Sequence, residues 1–144
     1  MTDAVGIAEV SRRSGLTQDT LRWYEREGLL PRVARGSDGR RRYEEADVRI
    51  VELIVRLRST GMPVAEQRRF VDLLDEGAAS HGRRMALLRE HRIRVLDRLL
   101  GMREALGAIE DKIDHYERLI AAGLDCDETT ITDDAVLAQQ GSTR

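Results

Sequence analysis

Residues 6–43 read GIAEVSRRSGLTQDTLRWYEREGLLPRVARGSDGRRRY, and this stretch decides the fold. Ile7, Val10 and Ser14 share one helical face, with Ala8 beside it. Gly15 is suited to the left-handed conformation that stops such a helix. Leu16 is apolar and fits the space between two helices. Thr17 is a good N-cap for a second helix over residues 18–27, which Gly28 ends. On that helix Leu21 is expected to point at the first, leaving Thr20, Arg22 and Tyr24 outside. Two short helices about a tight Gly-Leu-Thr turn are the layout of a helix-turn-helix. Its second helix presents N-terminal side chains to the major groove of DNA.

The segment that follows adds a ribbon. Pro31 prevents the helix from continuing, and Ser37-Asp38-Gly39 is strong turn chemistry. Extended segments at 32–35 and 40–43 predict a small hairpin. Arg32, Arg35, Arg40, Arg41 and Arg42 give it five guanidinium groups, enough to grip phosphates beside the recognition helix.

The run LRWYEREGLLP (residues 21–31), then GRRRY (39–43), then a helix opening EEADV (44–48) resembles the N-terminal DNA-binding domain of MerR-type transcriptional regulators. The match is strong over about the first half of the chain, and the long helix beyond it resembles the family's dimerisation helix. Two positions depart from the pattern. Trp23 stands where members usually carry tyrosine, and Arg40 stands where an aromatic commonly follows the wing glycine.

Charge is distributed unevenly. Residues 1–70 hold 14 Arg against 11 Asp and Glu, a balance of +3. Residues 71–144 hold 10 Arg and Lys against 15 Asp and Glu, a balance of −5. A basic front and an acidic back suit a protein that offers one end to nucleic acid. Five aromatic residues in 144 argue against a large aromatic-lined ligand module. The single cysteine, Cys126, excludes an intramolecular disulfide framework and points to a reducing compartment. Neither a signal-peptide core nor a bilayer-length apolar run is present, so the cytoplasm is the expected location, with no membrane partner.

Residues 1–5 read as a loosely ordered lead-in. A helix from Glu44 carries Val48, Val51, Ile54 and Val55 as an apolar stripe. Another begins at Pro63 and runs to about Leu74. The head is therefore expected to span residues 1–76, followed by a hinge of small residues at 77–82. Residues 83–122 form one long helix with a heptad register. Met85, Arg92, Leu99, Leu106, Ile113 and Ile120 recur every seven residues, as do Leu88, Val95, Met102, Ile109 and Tyr116. Arg92 alone of these eleven positions is polar. A helix from Met85 to Ile120 would be about 54 Å long, and no other part of the chain is large enough to cover its seam. Self-association into a homodimeric coiled coil is the simplest solution. Residues 123–144 read as an acidic and polar tail, partly disordered.

Within this mainly α architecture, Arg12, Arg13, Thr17, Gln18, Thr20, Arg22, Tyr24, Arg40, Arg41, Arg42 and Tyr43 are the expected DNA-binding residues. Gln18 and Thr20 sit early enough to reach base edges. Arg22 and Tyr24 suit phosphates, and Arg41 and Tyr43 match family positions that hold the ribbon. Cys126 is an effector-site candidate only if His81 or His91 joins it across a dimer, since one thiolate closes no soft-metal site. Alone it is an ordinary exposed thiol. The chain carries no phosphate-binding glycine loop, nucleophile elbow or zinc-ligand spacing, so neither enzymatic activity nor a cofactor is expected.

The resemblance implies a homodimer with an antiparallel coiled coil on a pseudo-palindromic promoter element. It also implies that the dimer distorts the promoter spacer so that RNA polymerase engages it. The effector is unknown, and a further reading, compatible with this one, is a direct small-molecule sensor whose pocket lies between the head and the coil, formed by the hinge and the apolar coil ends. The alternative from another class is a coiled-coil adaptor whose head does not bind DNA specifically. The arginine-rich wing and intact recognition helix argue against it.

Overall fold

The structure is a computed structural model and describes residues 3–144. Part of the expected lead-in, residues 1 and 2, lies outside the described residues. The helices are α1 (Ile7–Ser14), α2 (Gln18–Arg26), α3 (Glu45–Ser59), α4 (Val64–Leu74), α5 (His81–Ala122) and α6 (Asp134–Gln139), with a 3-10 turn at Gly77–Ser80. Contacts divide the chain into two units, one ending at Val95 and one beginning at Leu96.

In the first unit, local signals set α1 and α2. Gly15 adopts φ 77° and its N–H donates to the Ser11 carbonyl. Ser11 Oγ donates to the Leu16 carbonyl at 2.6 Å, which fixes the turn from its inner side. Thr17 Oγ1 then accepts the Thr20 backbone N–H at 3.1 Å, satisfying one of the orphan donors of α2. Gly28, at φ 71°, reverses the chain so that Leu29 and Leu30 both donate to the Tyr24 carbonyl. Both leucines thereby enter the core.

That core is one cluster. Val10, Leu21 and Val48 are wholly buried, joined by Tyr24, Leu29, Leu30, Tyr43, Val51, Ile54 and Val71. Each such apolar side chain contributes roughly 1.5–3 kcal/mol by leaving water. Tyr24 corrects the sequence expectation. It lies three residues after Leu21, and residues three apart share a helix face, so it points inward rather than outside. Arg58 covers its ring at 4.5 Å.

The wing is smaller than the expected hairpin. Among the described residues it has a single antiparallel bridge, Arg35 with Arg41. The lead-in is also less loose than expected. Val5 and Tyr43 exchange two backbone hydrogen bonds of 2.8 Å, which ties the start of the chain to the base of the wing.

The expected hinge is a structured corner. Ser80 is fully buried and its Oγ donates to the Leu73 carbonyl, while α5 already begins at His81. The first turns of α5 pack on the head, Leu87 and Leu88 lying against Phe70, Leu73 and Leu74. His91 is buried, with Nε2 2.8 Å from Thr60 Oγ1. Next to it Arg94 pairs with Glu66.

In the second unit, α5 leaves a long apolar stripe uncovered. Leu99, Met102, Leu106, Ile109, Ile113, Tyr116 and Ile120 are all exposed, and so are Leu96 and Leu100, which the heptad pattern did not include. Of the expected seam positions nearer the head, Met85 is exposed and Val95 half-buried. Leu88 differs from expectation, because its own chain already partners it. The tail is more ordered than expected. Gly123 turns the chain at φ 65°, Leu124 bridges Thr130, and Asp133 caps α6 through the Ala135 N–H at 2.8 Å. The physical reason is apolar. Leu119, Ile120, Leu124, Ile131 and Val136 line one small cavity there, with the exposed Cys126 at its rim.

Candidate nucleic-acid interface

A cleft of about 550 Å³ opens on the head between the start of α1, the outer side of α2 and the wing. Gly6, Ile7 and Ala8 form its floor on the α1 side. Gln18 and Arg22 come from α2, and Arg35, Arg40, Arg41 and Arg42 from the wing. Four wing arginines and one from the recognition helix thus line one groove. Such a density of positive charge fits phosphate oxygens, for which Arg is matched in geometry.

The five arginines are not equivalent. Arg41 Nε donates to Glu25 Oε2 at 2.7 Å, with both side chains about 85% covered. This pair joins the wing to the recognition helix and positions one against the other. Arg35 folds over the turn, donating to the Gly39 carbonyl at 2.8 Å. Arg42 lies 3.9 Å from Asp38. Asp38 is held below the ordinary carboxylate range, chiefly by the Arg40 backbone N–H it accepts at 3.0 Å. The Arg40 guanidinium adds to this through its charge, and it makes no side-chain hydrogen bond or close ion pair among the described residues, which leaves it able to meet a phosphate. Arg22 donates to Asp19 at 3.0 Å, an exposed pair that a phosphate can displace at little cost.

Other expected contacts fall elsewhere. Arg13 is engaged within the head. Its guanidinium forms two hydrogen bonds to Glu45, at 3.0 and 3.1 Å, and approaches Glu52 at 3.4 Å. It therefore fastens α1 to α3, and Glu45 is held below its usual range by that hydrogen bond. Arg12 is exposed and paired with Glu9 one turn back. Thr17 and Thr20 join hydroxyls at 2.7 Å at the N-terminus of α2, where Thr20 is half-buried. Tyr24 and Tyr43 are core residues, and Tyr43 supports the wing from beneath. Burial pushes the Tyr43 phenol up, with the nearby Glu25 adding to it. The sequence pattern does not reveal Glu25 as the wing's anchor or Gly6, Ile7 and Ala8 as part of the cleft lining. Neither leaves a local signal, since Glu25 meets Arg41 across 16 positions.

Among the described residues no three His, Cys, Asp or Glu side chains converge as a metal site requires. No helix among them is long and apolar enough to cross a membrane.

A helix-turn-helix flanked by a basic wing and followed by a long helix defines a winged DNA-binding head with a helical extension. The comparisons agree. Residues 6–74 match the MerR HTH family of regulatory proteins. The transcriptional regulator AdhR of Bacillus subtilis is 36% identical over 93 residues, covering 65% of this chain and 66% of that protein. A Listeria monocytogenes structure described as a MerR family transcriptional regulator superposes with TM-score 0.72 at 34% identity, covering 78% of this chain and 86% of that one. HiNmlR, a MerR family regulator lacking the sensor domain and solved bound to promoter DNA, gives TM-score 0.72 at 28% identity over 83% of this chain and 95% of its own. The chain belongs to the MerR family and is a DNA-binding transcriptional regulator.

Proposed function

We propose that two copies of this chain pair along α5 and place their two basic clefts on a pseudo-palindromic promoter element. The observation that carries this reading is the cleft itself: α2 and the wing are locked together by Arg41 and Glu25, and arginines surround the space between them. The uncovered stripe from Leu96 to Ile120 supports pairing with a second copy, antiparallel by family resemblance. Within the proposal the dimer acts in the cytoplasm and answers an unidentified effector by bending and untwisting the promoter spacer for RNA polymerase. Distortion of that size costs several kcal/mol, which the contacts of two heads together offset. HiNmlR, solved bound to promoter DNA, supports the DNA step.

The direct test is Arg22→Ala. A phosphate contact contributes affinity through counterion release, with a slope of about −0.9 per phosphate in log K against log salt. The variant is expected to bind a duplex selected by the protein from a random pool about tenfold more weakly, with the slope reduced by about one. Wild-type affinity and slope in an anisotropy titration over several salt concentrations would remove Arg22 from the interface.

A further inference from the structure

The chain has one tryptophan, Trp23, and it stands on the outer side of the recognition helix. It is 44% exposed, although tryptophan is among the side chains that gain most from burial. Its position is held rather than loose. The indole packs on the ring of Tyr24, centroids 5.5 Å apart and planes tilted by 58°, and Tyr24 is itself buried beneath Arg58.

The direction of the indole follows from helix geometry. Successive residues turn by about 100°, so Trp23 and Glu25 point roughly 160° apart. Glu25 holds the wing through Arg41. Trp23 therefore lies on the flank of α2 facing away from the wing. The acids beside it are already engaged, Asp19 by Arg22 and Glu27 by Arg68. Arg26, one turn on, is exposed.

A recognition helix about 10–12 Å across nearly fills a major groove about 12 Å wide. Its two flanks then meet the two strands. On one flank stands the wing. On the other stands an amphipathic side chain with an apolar body and a single N–H donor.

Resting on the DNA-binding reading, we infer that Trp23 is a DNA-positioning contact: its ring covers a deoxyribose and its Nε1–H donates to a phosphate oxygen of the strand opposite the one the wing grips. The recognition helix is thereby held between both groove walls. Because indole is uncharged, the contact releases no counterion and leaves the salt slope unchanged. That separates it from every arginine in the cleft.

The test uses the full chain and its only tryptophan as reporter, with a dye-labelled duplex selected by the protein from a random pool. Anisotropy of the dye and emission of the indole are read in one titration. The expected result is a rise in anisotropy with a matching change in tryptophan emission, both saturating at the same DNA concentration. Trp23→Phe, which keeps the ring and loses the donor, should bind about tenfold more weakly at an unchanged salt slope. Trp23→Tyr, which restores a donor, should recover most of that loss. Anisotropy that rises while the emission stays constant, or Trp23→Phe binding as tightly as wild type, overturns the inference. Anisotropy that does not rise at all overturns the DNA-binding reading and this inference with it.

Discussion

Replacing Leu99 and Leu106 together by aspartate is expected to turn a dimer into a monomer. Both leucines are more than half exposed, so their removal costs the single chain little. In a dimer four such leucines leave water. At about 1.5 kcal/mol each they contribute on the order of 6 kcal/mol, or about 10⁴-fold in the dimer dissociation constant. The aspartates add the cost of placing charge in an apolar seam. Light scattering should report the monomer mass, while circular dichroism retains the helical signal of the head. DNA affinity should fall as well, because the second head no longer arrives at the millimolar effective concentration that linkage gives. An unchanged dimer mass would show that the chains do not pair through this stripe.

The second large effect concerns Glu25, and its sign is informative. Glu25 is a negative charge beside the arginine-lined cleft. Simple electrostatics predicts that Glu25→Ala raises DNA affinity. The structure predicts the reverse. Glu25 holds Arg41 at 2.7 Å, with little of either side chain exposed, and through Arg41 it fixes the angle between wing and helix. A charged hydrogen bond of this kind contributes about 1.5 kcal/mol, so losing it should weaken binding about tenfold. Arg41→Ala should weaken binding by at least as much, because Glu25 is then left unpaired beside the phosphates. The double variant should be less than additive. Tighter binding by Glu25→Ala would mean that the wing needs no anchor.

Much of the head was legible because its signals are local. Gly15, Thr17 and Gly28 act on residues within one turn, and each sits where the sequence placed it. The heptad period identified the stripe on α5 because periodicity survives without knowledge of the partner. What escaped was set by contacts distant in sequence. Arg13 reads as an exposed base on a DNA-binding helix, yet Glu45 and Glu52, on another helix, claim it. Val5 pairs with Tyr43 across 38 positions, which no lead-in composition reveals. Leu88 fits the dimer heptad, yet it is half-buried against the cluster of Phe70, Leu73 and Leu87 in its own chain. His91 reads as a candidate partner of Cys126 across a dimer, yet it is buried against Thr60. Tyr24 was a different kind of miss. Its spacing from Leu21 already placed it on the buried face, and only its chemistry suggested a phosphate.

Sequence-specific DNA binding by the basic cleft is tested most directly by fluorescence anisotropy with a duplex selected from a random pool and a scrambled duplex of equal length, over a salt series. The expected result is tight binding to the selected duplex that weakens steeply with salt and exceeds binding to the scrambled control by about 10³-fold or more. Equal, weak binding to both duplexes at every salt concentration would contradict it.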